Sequence, residues 1–230
     1  FDKESGTMRY QPGVILCNLF LADELNRATS RTQSALLEAM EEGQVTVDGV
    51  SHRIPEPFCV FATQNPTGAS GTQLLPDSQM DRFMMRLTMG YPAPENELEL
   101  LRRKQSCNPL DTITAVADQG IIAAIQDKVA ATYASDDIFK YIVRLITATR
   151  NHPDLRQGAS PRASVALASM SRAVAWVQGR DYVIPADVQF IFTDTVAHRL
   201  LLTRQAEQDQ KNARDICNGI LHKVPAPKIK

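Results

Sequence analysis

The sequence predicts an α/β fold: part of a parallel sheet with its helices, followed by an all-α domain. Two observations support this. Residues 1–92 alternate short apolar runs with Gly and Pro in the order strand, helix, hairpin, strand, helix, strand, a pattern typical of an α/β layer fold. Residues 93–223 are patterned as helices almost throughout. We place the boundary between domains 1–92 and 93–230 at Pro92-Ala93-Pro94, because proline restricts its own backbone and that of the preceding residue.

Each element of the first domain has its own signal. Residues 14–22 (VILCNLFLA) form a near-continuous apolar run, typical of a strand buried on both faces. Ser30-x-x-Gln33 predicts a capping box, and Gly43 predicts the end of the same helix. Asp48-Gly49, at the centre of residues 45–54, predicts a hairpin turn. The remaining predicted elements are a strand over 58–63, a loop over 65–75, a short helix over 76–83 and a strand over 86–89.

The second domain is predicted to hold five helices and a weaker sixth. Pro161 and Pro185 each follow a helix-start signal, and proline is favoured in the first helical turn. The predicted spans are 95–106, 119–132, 136–151, 161–177 and 185–202, with the weaker helix over 208–221.

Composition excludes several classes of protein. Lys and Arg number 25 against 26 Asp and Glu, a net charge of −1, which argues against a broadly basic nucleic-acid-binding surface. No apolar run approaches the ~18 residues that span a bilayer, and the pattern of the first residues does not predict a signal peptide. Wide spacing of the four cysteines predicts neither a zinc site nor a disulfide framework. A reducing, cytoplasmic setting is the simplest prediction. The cysteines are Cys17, Cys59, Cys107 and Cys217.

Two adjacent acids, Asp23 and Glu24, end the first apolar run. Parallel strands of α/β sheets present their carboxyl ends to ligands. A carboxylate there can hold Mg²⁺, largely through water, and a second one can orient or deprotonate an attacking water. Taken alone, the pair fits a solvated loop after a strand better than a site.

Three further polar residues lie at strand ends or helix starts. Asn65 follows the next predicted strand, where its amide can bond a phosphate oxygen or a water, although Asn-Pro also favours turns. Arg82 lies in the short helix, and its planar guanidinium suits phosphate oxygens, although a weak surface ion pair is the plainer interpretation. Arg162 lies in the first turn of a helix, where the dipole disfavours a cation.

In this order along the chain, the motifs resemble the MoxR family of AAA+ ATPases, from about residue 13 to residue 202. Residues 32–49 followed by FATQNP are specific to that family, whereas an apolar strand ending in two acids is a weak signal. The segments that carry the resemblance are LADELNRA (21–28), TQSALLEAMEEGQVTVDG (32–49), FATQNP (61–66), LPDSQMDRF (75–83), GYPAP (90–94), GASPRAS (158–164) and GRDYVIPADV (179–188).

The resemblance implies a role for each candidate residue. Asp23 and Glu24 match the Walker B acids, Asp23 assisting Mg²⁺ and Glu24 activating water. Asn65 matches the sensor 1 residue near the γ-phosphate of ATP. Arg82 matches the arginine finger, which acts on the nucleotide of the adjacent subunit. Arg162 matches sensor 2, which contacts nucleotide from the helical lid.

One family element is missing from the sequence. Nothing reads GxxxxGK[ST], and Gly68–Thr72 is a glycine-containing stretch with no lysine after it. In the family this phosphate-binding loop precedes the Walker B strand, so we expect that the chain, which begins with Phe1, is a fragment. We expect the fragment alone to bind ATP poorly and to be inactive. Residues 1–13 are similar to the tail of the helix-2 insert, and residues 45–54 to the hairpin before sensor 1, which faces the pore of a ring.

The resemblance implies ATP hydrolysis to ADP and phosphate by a ring, expected to be a hexamer, with ATP and Mg²⁺ as cofactors. It further implies chaperone-like remodelling or maturation of protein partners, among them von Willebrand factor A domain proteins. Two alternatives stay open. One is a related helix-2-insert ATPase of the chelatase or nucleic-acid-motor type, which strong salt-dependent DNA binding would favour. The other is a non-catalytic adaptor that retains the fold. Arg27 receives no role.

Overall fold

The computed structural model describes residue 6 and residues 11–65, 75–106 and 109–228. It divides into two compact units, Phe1–Arg82 and Phe83–Lys230. The glycine-containing stretch 68–72 and most of residues 1–13 lie outside the described residues. A domain boundary at Pro92 remains a prediction.

The first unit is built around a parallel strand pair. Strand β1 pairs with β4, and Leu19 lies opposite Cys59 while Ala22 lies opposite Ala62. A helix and an antiparallel hairpin connect the two strands, as the sequence predicts. In chain order the elements are β1 (Leu19–Ala22), a 3₁₀ turn (Leu25–Arg27), α1 (Ser30–Glu42), β2 (Gln44–Val47), β3 (Val50–Arg53), β4 (Cys59–Ala62) and α2 (Asp77–Met80).

Strand β1 is shorter than predicted, and the expectation that it is buried on both faces is wrong. Residues 14–18 form turns and bends, and the amide of Leu16 donates to the carbonyl of Gly13 at 3.1 Å. Leu19 and Leu21 are 68% and 67% exposed, while Ala22 is buried. Successive strand side chains point to opposite faces, so one face of the described strand pair is covered and the other is open.

Helix α1 begins one residue earlier than the predicted capping box. Thr29 is the N-cap, and its hydroxyl accepts from the amide of Thr32 at 3.2 Å. The side chain of Gln33 instead donates to the carbonyls of Leu25 and Ala28 at 3.2 and 3.1 Å. Gln33 therefore ties α1 to the turn that follows β1. The predicted end at Gly43 is confirmed, with φ at 62°.

The predicted hairpin is confirmed. β2 and β3 pair antiparallel, with Gln44 opposite Arg53. Asp48 and Gly49 connect them with φ values of 50° and 78°, as a type I′ turn requires of both central residues.

Two expectations for residues 76–89 are wrong. The helix predicted over 76–83 is only α2, which ends at Met80. Residues 86–89 form no strand. The amide of Arg86 instead donates to the carbonyl of Asp194 at 2.9 Å, and the side chains of Leu87 and Met89 are exposed. An alternating pattern this short also fits an extended segment laid along a helix.

The second unit is a helical bundle with one small strand pair. Pro161 and Pro185 begin helices as predicted. The predicted helix 185–202 ends at Val196. The helix predicted over 208–221 begins later, at Ala213, and a separate short helix that was not predicted ends at Gln208. The strand pair was not predicted. The elements are α3 (Pro94–Ser106), α4 (Gln119–Ala131), α5 (Asp136–Arg150), β5 (Leu155–Gln157), α6 (Pro161–Val177), α7 (Pro185–Val196), β6 (Leu201–Leu202), α8 (Arg204–Gln208) and α9 (Ala213–Lys223).

The core of this unit lies between α5, α6, α7 and α9. Tyr141, Leu145, Leu167 and Phe192 are each fully buried within it. On α5 the buried residues recur three or four positions apart, which is the spacing of one helix face. Helix α6 therefore packs against α5 and α7 in one core.

A partly buried histidine makes the stability of this unit depend on pH. The Nε2 atom of His198 lies 3.1 Å from the carbonyl oxygen of Phe83, to which a neutral ring can donate. Arg199 donates to the same carbonyl at 2.7 Å. Burial is the largest cause that lowers the pKa of His198, and the charges of Arg199 and Arg86 act in the same direction. The bond to Phe83 opposes them, and the resulting pKa is about 4.

We expect the unit to lose stability as the pH falls from 6.5 towards 4. The unfolded chain binds a proton at His198 near pH 6.5 and the folded chain only near pH 4, so the stabilisation is complete above pH 6.5. The loss between pH 7.5 and 4.5 is about 2–3 kcal/mol. Urea unfolding at both pH values measures it. His198→Gln should show a smaller loss and exposed His222→Gln the wild-type loss; equal losses in all three proteins would contradict this assignment.

Candidate functional site

The acidic pair lies beside the carboxyl end of β4. β1 ends at Ala22 and β4 at Ala62, and these residues are opposite each other. Asp23 and Glu24 follow the first strand, and Thr63 follows the second. The hydroxyl of Thr63 donates to Oδ1 of Asp23 at 2.5 Å and accepts from the amide of Glu24 at 2.8 Å. Both acids are therefore fixed against the neighbouring strand.

Glu24 has an unusual backbone conformation. Its φ and ψ are 47° and 45°, in the left-handed region that residues with a side chain seldom adopt. The next amide, of Leu25, donates to the carbonyl of Thr63 at 3.0 Å. The carboxylate of Glu24 lies 3.2 Å from Nε of Arg27 and is 38% exposed. The turn therefore presents a solvent-accessible carboxylate next to Asp23.

Asn65 lies close to the same turn. The side-chain amide of Asn26 donates to the main-chain carbonyl of Asn65 at 3.4 Å. Asn26 is 3% exposed, so the polypeptide just after β4 packs on the turn just after β1. Asp23, Glu24 and Asn65 thus lie in one region of the first unit.

Arg82 occupies another part of the same unit. It follows α2, and its Nη1 lies 2.7 Å from Oε2 of Glu41 on α1. Both side chains are about one-third exposed. The contact holds the guanidinium on α1 while leaving it accessible to solvent.

Arg162 belongs to the second unit, on an exposed position in the first turn of α6. The residues before it are anchored to the end of α5. The amide of Ala159 donates to the hydroxyl of Thr149 at 3.0 Å, and Nε of Arg150 donates to the carbonyl of Ala159 at 2.9 Å. Gly158 passes so close to α5 that a Cβ there would lie 2.5 Å from the amide nitrogen of Arg150. The position of Arg162 is therefore set by α5.

Sequence reasoning missed Thr63 and Asn26. Both lie within segments that carry the resemblance, FATQNP and LADELNRA, but their side chains are neither acidic nor basic. A hydroxyl at the end of the strand next to an acidic pair is the one signal that could have pointed to Thr63.

The donor set at the end of β1 suits Mg²⁺ better than a metal with many protein ligands. Among residues 11–65, 75–106 and 109–228, no three or more His, Cys, Asp or Glu side chains form a metal-binding cluster. Mg²⁺ commonly keeps several waters and takes one or two carboxylates together with substrate phosphates. The exposed carboxylate of Asp23 fits that requirement.

Two protein-family models match the chain. Residues 1–85 match the ATPase family associated with various cellular activities (AAA), and residues 147–220 match the AAA lid domain. The described part of the chain contains no helix that is both long and apolar enough to cross a membrane.

Individual proteins match over almost the whole chain. Uncharacterized protein YeaC of Bacillus subtilis is 41% identical over 227 residues, which are 99% of this chain and 71% of that protein. Chaperone MoxR1 of Mycobacterium tuberculosis is 38% identical over 226 residues, 94% of this chain and 59% of that protein. This chain therefore spans about three-fifths to seven-tenths of the length of these two relatives.

Solved structures extend the likeness to the fold. The crystal structure of a protein from Cytophaga hutchinsonii superposes on this chain with a TM-score of 0.92 at 35% sequence identity. The match covers 99% of this chain and 72% of the other chain. A full-length MCM homolog from Methanopyrus kandleri has a TM-score of 0.51 at 19% identity, covering 90% of this chain and 38% of that one. The second comparison shows likeness of fold alone.

Proposed function

The chain belongs to the MoxR-type AAA family of ATPases, and we propose that it carries the water-activating and lid parts of an Mg²⁺-dependent ATP hydrolase that remodels protein partners. One observation carries the proposal. Asp23 and Glu24 lie at the carboxyl end of β1, and both are bonded to Thr63 at the end of the adjacent parallel strand. Ligands of α/β sheets bind at this end of the strands.

The two acids divide the work. Asp23 would hold Mg²⁺, which when bound supplies positive charge that neutralises the phosphate oxygens. Glu24 would accept a hydrogen bond from the attacking water, orienting it towards the γ-phosphorus and taking up its proton. The phosphorus–oxygen bond to ADP then breaks, giving ADP and phosphate. The 38% exposure of the Glu24 carboxylate is compatible with contact to water.

Three further residues would stabilise the transferred phosphoryl group. The amide of Asn65 would donate to a γ-phosphate oxygen, and Arg162 would contact the nucleotide from the lid. Arg82 would act on nucleotide held by a neighbouring subunit, since an arginine supplied from outside a site can stabilise transition-state charge. Its partial exposure beside Glu41 is compatible with that role.

The 230 residues contain no GxxxxGK[ST] loop. We propose that such a loop outside these residues completes the nucleotide site, because its backbone amides and lysine bind the phosphates. We call the polypeptide in which this chain is joined to that loop the complete ATPase.

The partner is proposed to be a protein. One relative is named a chaperone, and the hairpin of β2 and β3 carries apolar side chains near its turn, Val47 at 39% and Val50 at 58% exposure. In a ring, expected to be a hexamer, these side chains would contact a polypeptide as ATP is hydrolysed. A von Willebrand factor A domain protein is the partner class that the family suggests.

Complementation between two inactive variants tests the shared site. Glu24→Gln and Arg82→Ala complete ATPases should each hydrolyse ATP at least about a hundredfold more slowly than wild type. Mixed one to one, they form interfaces that pair an intact Glu24 with an intact Arg82. Random assembly should restore about a quarter of the wild-type rate.

The matched control is Arg103→Ala, which removes the same charge from an exposed ion pair with Glu99 and should leave the rate unchanged. Absence of any recovered hydrolysis, in mixtures where an affinity tag on one variant co-purifies the other, would overturn the assignment of Arg82.

A further inference from the structure

Thr63 directs every polar atom it has towards the segment that carries the two acids. Its amide donates to the carbonyl of Ala22 at 3.0 Å, and its carbonyl accepts from the amide of Leu25 at 3.0 Å. Its hydroxyl donates to Oδ1 of Asp23 at 2.5 Å and accepts from the amide of Glu24 at 2.8 Å. The four bonds therefore reach each residue from Ala22, just before the acids, to Leu25, just after them.

The hydroxyl bonds both acids at once because a hydroxyl has one proton to give and lone pairs to accept. The hydrogen bond that the hydroxyl donates to Oδ1 of Asp23 fixes the rotation of that carboxylate. Accepting from the amide of Glu24 fixes the peptide plane between the two acids. Removal of the hydroxyl therefore releases both constraints together.

The second constraint matters because Glu24 is in a conformation that is unfavourable by itself. A left-handed residue with a side chain persists where its surroundings hold it, and such residues concentrate at functional sites. Thr63 bonds the amides of Glu24 and Leu25, one on each side of the Glu24 α-carbon. The direction in which the Glu24 side chain leaves the backbone thus depends on Thr63.

Burial does not explain why a hydroxyl is present at this position. Thr63 is exposed, so water could satisfy its hydroxyl and a valine there would leave no buried polar group. The bonds of this hydroxyl to Asp23 and Glu24 explain its presence better.

We propose that Thr63 is the positioning residue for Asp23 and Glu24, orienting the carboxylate that would hold Mg²⁺ and the side chain that would activate water. The proposal rests on the proposed function of those two acids. Thr63 itself touches neither the metal nor the water; it acts through the two acids.

The test compares Thr63→Val, which keeps the shape and removes the hydroxyl, with Thr63→Ser, which keeps the hydroxyl. Both are made in the complete ATPase. Thr63→Val should lower kcat about 10- to 100-fold, as loss of a supporting hydrogen bond to a metal ligand does. In EDTA, where no Mg²⁺ is available, the variant should bind ATP with the wild-type affinity. When Mg²⁺ is titrated in, the concentration that gives half of the Mg²⁺-dependent gain in ATP binding should be about tenfold higher than for wild type. Thr63→Ser should restore both quantities to within about threefold.

A merely structural role would not produce this combination. Thr147→Val, which removes a hydroxyl from an exposed position on α5, is the matched control and should change neither kcat nor the Mg²⁺ requirement. The thermal midpoint of Thr63→Val should lie within about 4 °C of wild type. If Thr63→Val does not fold, Thr63→Ala removes the same hydroxyl and replaces it in every comparison.

Non-additivity supplies the second measurement. In a Glu24→Gln background, Thr63→Val should lower the residual hydrolysis by a smaller factor than it lowers wild-type hydrolysis, since only its effect on Asp23 is left. The inference would be overturned if Thr63→Val kept the wild-type kcat and the wild-type Mg²⁺ requirement. It would also be overturned if Thr63→Val and Thr63→Ser lost kcat to the same extent. Wild-type hydrolysis by Glu24→Gln would instead overturn the proposed function, so the two failures are distinguishable.

Discussion

Glu24→Gln is expected to reduce ATP hydrolysis by at least about a hundredfold, the scale of a general-base contribution, while ATP remains bound. Glutamine keeps the size and a polar end but cannot take a proton from the attacking water. The backbone bond from residue 24 to Thr63 is retained, so the turn should keep its shape. Phosphate release and equilibrium binding of ATP to the complete ATPase measure the two quantities.

Glu38→Gln is the matched control, because Glu38 is an exposed residue of α1 with no assigned role. It should hydrolyse ATP at the wild-type rate. Undiminished hydrolysis by Glu24→Gln would remove Glu24 from the chemistry. Loss of ATP binding in Glu24→Gln would instead mean that the Glu24 carboxylate contributes to binding ATP rather than to its hydrolysis.

Gly158→Ala is expected to destabilise the second unit by about 3 kcal/mol, as forced overpacking does. The added Cβ would lie 2.5 Å from the amide nitrogen and 2.6 Å from Cα of Arg150, and 2.6 Å from the carbonyl carbon of Thr149. All three are backbone atoms at the end of α5, and they cannot turn aside as a flexible side chain could. The segment that leads to Arg162 must therefore move away from α5.

Thermal unfolding measures this effect, with an expected fall in the midpoint of about 6–12 °C for a domain of this size. Gly219→Ala is the control, since Gly219 lies inside α9 and an added Cβ would meet nothing within 4 Å. It should keep or raise the midpoint, because alanine favours a helix over glycine by about 1 kcal/mol. Equal midpoints for the two variants would contradict the close approach at Gly158.

The helices and the hairpin were predictable because their signals are local. Proline at the start of α6 and Asp48-Gly49 in the hairpin each fix backbone geometry within a few residues. Strand lengths were not predictable in the same way. Residues 14–18 are as apolar as the strand that follows, and only pairing with β4 shows that the strand begins at Leu19. The pair of β5 and β6 was missed because each strand is very short.

The candidate site was predictable in its charged residues and not in what holds them. Asp23 and Glu24 stood out because two acids end an apolar run. The bonds from Thr63 depend on the register between two strands about forty residues apart in sequence, which no local pattern contains. Pairing of Arg82 with Glu41 on α1 depends on tertiary structure for the same reason.

The central claim is that the carboxyl ends of β1 and β4 form the water-activating part of an ATPase. Simultaneous measurement of ATP occupancy and phosphate release by the wild-type complete ATPase, with Mg²⁺ present, tests it most directly. We predict bound ATP that is converted to ADP with one phosphate released for each ADP, and no conversion in EDTA. Full occupancy by ATP with no phosphate released, in the assembled protein, would contradict the claim.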